Sequence, residues 1–251
     1  MIAVIPARMA STRFPGKPLA AETGRAMVLH VVDRARAATL VDRVIVSAPD
    51  QLIVEAVLAD GGEAMLTSED HPNGTSRLAE VVDRLGDDLD PDSIVVNVQG
   101  DEPEIDPKAI DAVINALESD PGADMATIAA PWDPIDDPGD PSIVKVVLSS
   151  MGRALYFSRS RIPFVRDAPA SEASSPGPLR HVGLYAYRAA FLPRFAAWPE
   201  SPLELLERLE QLRVLENGGS IAVAVHATQG TGIDTPEQYQ AFVARWTANR
   251  P

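Results

Sequence analysis

The sequence predicts a doubly wound α/β fold, with a mainly parallel, mixed sheet and helices on both faces. Short β-branched runs alternate with helical patterns over the first hundred residues, in the order β-α-β-α-β-α-β. Four of the runs are almost continuously apolar, which is typical of strands covered on both faces. With 251 residues, 45% of them hydrophobic, the chain can bury a sizeable core. One domain is ordinary at this length, and two small domains would also fit.

Seven segments are predicted to be strands because they are short and rich in β-branched residues. They are residues 2–5, 43–47, 93–98, 125–129, 143–148, 181–187 and 220–225. The middle of the chain offers several strands, little helix and a Pro/Ser/Ala-rich loop at 167–179. We therefore expect a single domain over 1–251 with a small β-rich insertion at about 125–187.

The helices are predicted from apolar spacing and from residues that favour helix ends. Patterns at 27–38, 50–60 and 75–85 are helical, and Gly61 and Gly86 end the last two. Three later helices begin with capping residues followed by proline, at Asp106-Pro107, Ser201-Pro202 and Thr235-Pro236.

One of these helices is expected to run over 203–216. Within it Glu210 lies four residues from both Leu206 and Val214, so the spacing places it on an apolar stripe. A half-buried glutamate needs a partner, and a ligand is one candidate. The alternative is a glutamate whose carboxylate extends outward to solvent.

Composition excludes several classes of protein. A net charge of −14 and a pI near 4.6 argue against general nucleic-acid binding. The absence of cysteine excludes disulfides and thiolate metal sites. No apolar stretch could span a bilayer, and the N-terminal run is too short for a signal peptide. We expect a soluble cytoplasmic protein that binds neither nucleic acid nor membrane.

The loop after the first predicted strand is basic although the chain is acidic. It contains Arg8, Arg13 and Lys17 among small residues, and the first acidic residue is Glu22. Such a loop at the carboxyl end of a strand lets backbone N–H groups and cations approach a phosphate. It is not a Walker A loop, because Pro18 follows Lys17. The alternative is a solvated surface loop.

Two aspartates and the histidines complete the candidate list. Asp101 lies just past the strand at 93–98, where a carboxylate is a natural magnesium ligand, and Asp234 directly precedes the last helix. Each could equally be a turn residue. His30 lies in an apolar helix and is interpreted as structural, and His71 lies in a loop. No zinc-hydrolase or Ser-triad motif occurs.

Six segments together resemble the 3-deoxy-manno-octulosonate cytidylyltransferase (CMP-Kdo synthetase) family. They are IPARMASTRFPGKPL, NVQGDEP, ALYFSRSRIPF, RHVGLYAYR, LELLERLEQLRVLENG and GTGIDTPE, in this order from residue 2 to about residue 240. The resemblance implies a Rossmann-like nucleotidyltransferase fold. It also implies that the anomeric hydroxyl of the sugar acid Kdo attacks the α-phosphate of CTP, giving CMP-Kdo and pyrophosphate for lipopolysaccharide biosynthesis. Mg²⁺ as cofactor and a homodimer that meets through about 125–187 are implied as well.

The resemblance also assigns site residues. It implies that the opening loop holds the nucleotide through Ala7, Arg8, Ser11, Arg13 and Lys17. The segment 71–77 would place Gly74, Thr75 and Arg77 near cytosine. Asp101 and Asp234 would hold Mg²⁺ and, with Lys17, would be catalytic. The sugar-acid pocket would comprise Gln99, Arg159, His181, Tyr185, Glu210 and Gln211. Because two carboxylates without a cation repel, we expect the aspartate pair to destabilise the ligand-free protein slightly.

The chain departs from the family pattern at two places on the nucleoside side. Ser76 stands where the family usually has an acidic residue, and 47–50 reads SAPD where the family usually reads Ala-Thr-Asp. A third change, Phe14 for a leucine, is mild.

Three alternatives remain open at this point. The first is a cytidylyltransferase for another sugar acid, such as an N-acylneuraminate or an amino-Kdo analogue. The second is a nucleotide-binding regulatory protein, against which the joint presence of Arg13, Lys17, Asp101 and Asp234 argues. The third is a glycosyltransferase, for which the D-x-D tripeptide is missing after the fourth strand.

Overall fold

The computed structural model describes residues 1–166, 178–228 and 232–248, and the chain divides into two compact units. Unit 1 comprises Met1–Asp111, Tyr187–Ala196 and Gly230–Pro251, and unit 2 comprises Ala112–Ala186 and Ala197–Gln229. None of the helices in the described ranges combines the length and hydrophobicity that crossing a bilayer requires.

Unit 1 contains a four-stranded parallel sheet in the order β3-β2-β1-β4. The strands are β1 Ile2–Pro6, β2 Arg43–Ala48, β3 Glu63–Leu66 and β4 Ile94–Asn97, and the helices between them are α1 Met27–Arg36, α2 Gln51–Ala59 and α3 Gly74–Leu85. The predicted order β-α-β-α-β-α-β is confirmed. Its third strand, β3, was not among the seven predicted segments because the EAML sequence lacks β-branched residues.

The centre of unit 1 is apolar because β1 lies between two neighbours and beneath helices. Ala3, Val4 and Ile5 are fully buried. The predicted structural role of His30 is confirmed, since its buried ring lies 2.8 Å from Thr23 Oγ1 and packs edge-on against an aromatic ring of the last helix.

The capping predictions are confirmed, and they set where the later helices begin. Asp106 accepts a backbone hydrogen bond in the first turn of α4 Pro107–Glu118. The backbone N–H of Thr235 donates to Gln238 Oε1 over 3.0 Å at the start of α8 Pro236–Ala248. Both ends of this capping box are formed, because the Gln238 N–H donates back to Thr235 Oγ1. A further helix, α5 Phe191–Ala197, was not predicted.

Unit 2 is rich in strands. It contains β5 Met125–Pro131, β6 Lys145–Leu148, β7 Ala154–Ser158, most of β8 Leu179–Arg188, and β9 Ile221–Val225. β5 pairs parallel with β9, whereas β6 pairs antiparallel with β7 and β8, so the sheet is mixed as predicted. Strand β7 was missed. The predicted loop at 167–179 lies mostly outside the described residues.

The single helix predicted over 203–216 is wrong. Two short helices, α6 Pro202–Glu207 and α7 Gln211–Glu216, take its place. They are separated because Arg208 adopts φ 54°, a left-handed conformation that ends a right-handed helix. The predicted stripe through Glu210 is therefore wrong too, since Leu206 is 80% exposed whereas Val214 is fully buried.

Candidate active site

A cavity of about 720 Å³ lies in unit 1 where β1 and β4 end. Its walls are the basic loop after β1, the start of α3, the turn after β4 and Asp234 in the segment that leads into α8. Ten of the sequence-predicted residues line it: Ala7, Arg8, Ser11, Arg13, Lys17, Gly74, Arg77, Gln99, Asp101 and Asp234. Thr75 is buried in the first turn of α3 and is not among the lining residues.

The turn after β4 approaches β1 so closely that it requires glycine. A Cβ on Gly100 would lie 2.5 Å from the backbone oxygen of Pro6, closer than two such atoms approach in proteins. This contact holds the ends of β1 and β4 together and places Gln99 and Asp101 on either side of Gly100, at the cavity wall.

The cavity carries positive charge in an acidic protein. Its lining includes four cations, Arg8, Arg13, Lys17 and Arg77, and two carboxylates. In the described part of the chain, Arg8 has no ion-pair partner. Helix α3 begins at Gly74 on the cavity wall, which directs the positive end of its dipole to the same space. The cavity is therefore suited to a polyanion.

Lys17 lies between the two aspartates. Its Nζ is 2.9 Å from Asp101 Oδ2 and 3.5 Å from Asp234 Oδ1, and it donates over 2.6 Å to the backbone oxygen of Ile233. Arg13 Nη2 lies 3.0 Å from Asp234 Oδ1. The premise of the expected destabilisation, two carboxylates without a cation, is therefore wrong, because each carboxylate already faces a cation.

The local backbone explains why Lys17 points inward. Gly16 adopts φ 73°, and the short 3₁₀ helix Lys17–Leu19 follows it with Pro18 at its second position. The side chain of Lys17 is mostly buried, whereas Arg13 on the preceding loop is largely exposed. An N–H group on Phe14 donates to Ser11 Oγ, which closes the loop between them.

The segment 71–77 forms another part of the cavity wall. Arg77 is buried and donates to Thr67 Oγ1 and to the backbone oxygen of Ser68, and burial lowers its pKa. His71 also lines the cavity, with Nδ1 3.2 Å from Ser76 Oγ and Nε2 paired with Glu80. Ser76, where the chain departs from the family pattern, thus helps to hold the His71 ring in position.

Sequence reasoning missed three groups at or beside this site. His71 and Asn73 line the cavity, and the Asn73 side chain caps α3 by accepting from the Ser76 N–H over 2.9 Å. An asparagine directly before a helical pattern is a capping signal that could have identified it. Glu102 is buried, and burial together with Asp101 raises the pKa of its carboxyl to about 7.

The other predicted sugar-acid residues belong to unit 2, where three of them form one cluster. The Tyr185 hydroxyl donates to Gln211 Oε1 over 3.3 Å, and the His181 ring lies 5.5 Å from the Tyr185 ring, centroid to centroid. Burial lowers the pKa of His181 to about 3, and burial and the charge of Glu210 raise the pKa of Tyr185. Both rings are therefore neutral hydrogen-bonding groups at neutral pH.

The guanidinium of Arg159 donates to backbone oxygens of unit 2. Its Nε donates to the Glu207 oxygen over 2.7 Å and its Nη1 donates to the Pro141 oxygen over 2.9 Å. Nη2 lies 3.4 Å from the Arg208 oxygen, so the guanidinium caps the C-terminal end of α6. Two of its five N–H donors remain for a ligand.

Comparisons with known proteins agree over most of the chain. A family model described as cytidylyltransferase matches residues 2–221. A 3-deoxy-manno-octulosonate cytidylyltransferase of Syntrophobacter fumaroxidans is 48% identical over 243 residues, covering 97% of this chain and 95% of that protein. The protein of the same name from Sodalis glossinidius is 51% identical over 240 residues, covering 94% of each.

Solved structures agree as well. The structure of CMP:2-keto-3-deoxy-manno-octonic acid synthetase complexed with CTP matches with a TM-score of 0.89 and 38% identity, covering 99% of both chains. A 4-diphosphocytidyl-2C-methyl-D-erythritol synthase matches with a TM-score of 0.62 at 12% identity, which supports the fold alone.

Proposed function

The chain belongs to the 3-deoxy-manno-octulosonate cytidylyltransferase family, and on that basis we propose that it transfers CMP from CTP to Kdo with release of pyrophosphate. The structural observation that carries the proposal is the cavity at the ends of β1 and β4, which concentrates four cations in a protein of net charge −14. A triphosphate is the polyanion that this reaction requires there.

In this reaction the anomeric hydroxyl of Kdo releases its proton to water as its oxygen forms a bond to the α-phosphorus of CTP, and the bond from that phosphorus to the oxygen that bridges to the β-phosphorus breaks. Pyrophosphate leaves with the bonding electrons, so negative charge grows on the β-phosphate. Arg8, Arg13 and Lys17 line the cavity and would neutralise that charge, and the dipole of α3 would add to their effect. The protein aligns the two substrates and neutralises the phosphate charge, and no covalent intermediate with the protein is formed.

We extend the proposal to Mg²⁺ as cofactor. The carboxylates of Asp101 and Asp234 both reach one cation, the ammonium of Lys17, so they could share a single metal ion. In the described ranges no group of three His, Asp or Glu residues could hold a metal. Two carboxylates fit Mg²⁺, which usually completes its coordination with phosphate oxygens and water. Bound there, it would supply charge neutralisation and would lower the pKa of the attacking hydroxyl.

The sugar acid is assigned to neutral donors and one cation. The cluster of His181, Tyr185 and Gln211 offers hydrogen-bonding groups suited to sugar hydroxyls, and Arg159 has donors for a carboxylate. Gln99, on the cavity wall, completes the predicted set with Glu210.

We also propose a cytoplasmic homodimer whose product enters lipopolysaccharide biosynthesis. Support for the dimer comes from unit 2, where Ile135, Met151, Leu155 and Phe164 are each more than 60% exposed. Exposed large apolar side chains that gather in one patch mark interaction surfaces, and all four of these lie within the expected interface region at about 125–187.

The reaction is tested by measuring pyrophosphate release. We expect release from CTP only when Kdo and Mg²⁺ are both present, and much slower release with ATP or GTP. N-acylneuraminate and 8-amino-Kdo should support slower turnover than Kdo. Equal turnover with ATP, no release with Kdo, or preference for another sugar acid would contradict the proposal.

A further inference from the structure

We propose that Lys17 acts as an internal cation that occupies the place of the metal ion and keeps it out until CTP arrives. This inference rests on the proposed nucleotide site and adds an order of binding to it: the metal enters with the triphosphate, not before it.

The geometry around Lys17 Nζ is that of a cation site already filled. Three oxygens surround it, from Asp101 at 2.9 Å, Asp234 at 3.5 Å and the Ile233 backbone at 2.6 Å. Carboxylate and carbonyl oxygens are also the ligands that Mg²⁺ takes. The side chain of Lys17 is only 11% exposed, so the ammonium has few water molecules with which to replace these partners.

The charges of this group cancel. Lys17 and Arg13 provide two positive charges, and Asp101 and Asp234 provide two negative charges. A divalent ion that entered this neutral group would lie within a few ångströms of the ammonium and would be repelled by it. Without these two cations, the carboxylates of Asp101 and Asp234 would attract the same divalent ion strongly.

The arrival of CTP removes this obstacle. A triphosphate in the cavity brings about four negative charges, which attract the flexible side chain of Lys17 and the exposed Arg13. As the two cations move to phosphate oxygens, the carboxylates of Asp101 and Asp234 become available to the metal. Lys17 therefore has different partners in the free and the loaded enzyme.

The test is Mn²⁺ binding without nucleotide, measured by calorimetry and by electron paramagnetic resonance. Lys17→Met should bind one Mn²⁺ roughly tenfold or more tighter than the wild type, because the competing charge is gone. Lys17→Arg keeps the charge and should gain no affinity. Lys108→Met makes the same change of net charge at an exposed position outside the cavity and should match the wild type.

Two further variants locate the effect. Lys17→Met combined with Asp101→Asn should lose the gained affinity, since the metal then lacks a carboxylate. Lys17→Gln, which can still donate to the Ile233 oxygen, replaces Lys17→Met if circular dichroism shows that the methionine variant is unfolded. Lys17→Met and Lys17→Gln should each bind CTP more weakly than the wild type, whereas each should bind Mn²⁺ more tightly.

The inference is overturned if the wild type binds Mn²⁺ without nucleotide as tightly as Lys17→Met, or if neither neutral variant gains affinity. The pyrophosphate assay on the wild type is an independent measurement. If the wild type is inactive with Kdo, the proposed function is overturned while the Mn²⁺ result stands. If the wild type is fully active but the neutral Lys17 variants bind Mn²⁺ no more tightly than it does, only the inference is overturned.

Discussion

The pairing of Lys17 with Asp101 predicts that this aspartate contributes to stability as well as to the proposed catalysis. In Asp101→Asn the buried ammonium keeps a neutral acceptor but loses a charged one, so we expect the free energy of unfolding to fall by about 1–2 kcal/mol. Asp234→Asn should cost less, because that side chain is 40% exposed and lies farther from the ammonium, at 3.5 Å. Chemical unfolding without metal measures both.

Catalysis should respond to these two substitutions differently from stability. Each should lower kcat by orders of magnitude, and the double variant should lose little more than either single variant, because the two carboxylates act as one unit. Near-normal pyrophosphate release by either single variant at saturating Mg²⁺ would show that its aspartate is not a metal ligand.

His181 provides a prediction about pH. Its folded pKa of about 3 lies below the ordinary value of 6.5, so the unfolded chain binds a proton that the folded protein excludes. The stabilisation from a neutral His181 is complete above pH 6.5 and is lost as the pH falls toward 3. The unfolding free energy of the wild type, minus that of His181→Asn, should drop by about 1 kcal/mol between pH 7 and 5, since partial exposure of the ring offsets some of the penalty. A difference that does not change with pH would contradict this.

At the scale of elements, the turn after β4 depends on the contact between Gly100 and β1. In Gly100→Ala the new methyl group would meet the Pro6 oxygen, so the strand ends must separate. We expect a loss of about 1–3 kcal/mol in unfolding free energy and a higher KM for CTP, because Gln99 and Asp101 move with the turn. Gly183→Ala in β8 is the matched control, since its Cβ meets no atom within 4 Å. Equal melting temperatures for the two variants would show that the contact is not essential.

The elements that could be predicted are those whose signals are local. Apolar runs identified the buried strands, and side chains such as Thr235 and Asp106 identified the helix starts because a cap acts on its own first turn. Strand β3 could not be identified, because it lacks the β-branched residues that favour a strand locally. It is a strand because it pairs with β2 in the folded sheet. The break at Arg208 could not be identified either, because the backbone oxygen of Arg208 accepts a hydrogen bond from Arg159, which lies 49 residues away in sequence.

The site, too, has a part that could be predicted from local signals and a part that could not. The cavity lining could be predicted because each contributing segment directly follows a strand or precedes a helix, and such ends meet at one edge of a parallel sheet. The partners of Lys17 could not, because they are 84 and 216 residues distant and depend on the finished fold. The resemblance implied a role for each residue of the site. The structure shows that Lys17 contacts Asp101 and Asp234, and the proposed roles require these contacts to change.

At the scale of the whole molecule, the exposed apolar residues of unit 2 predict self-association. Leu155→Glu places a charge on β7 at a side chain that is 61% exposed, so a dimer that meets there should dissociate. Light scattering should give twice the 26.8 kDa chain mass for the wild type and the single chain mass for the variant. Leu52→Glu, equally exposed on α2 in unit 1, is the control and should stay dimeric. A monomeric wild type would contradict the homodimer.

Every residue that lines the cavity belongs to unit 1, whereas Arg159, His181, Tyr185, Glu210 and Gln211 all belong to unit 2. Under the assignment proposed above, recognition of the nucleotide and recognition of the sugar acid are encoded in separate stretches of the chain, apart from Gln99. That assignment predicts that changes within 112–186 and 197–229 alter the accepted sugar while the nucleotide-binding residues of unit 1 stay constant. The same separation invites modular engineering, in which the second unit of a relative with another acceptor is recombined with this first unit to give a new activated sugar from the same nucleotide.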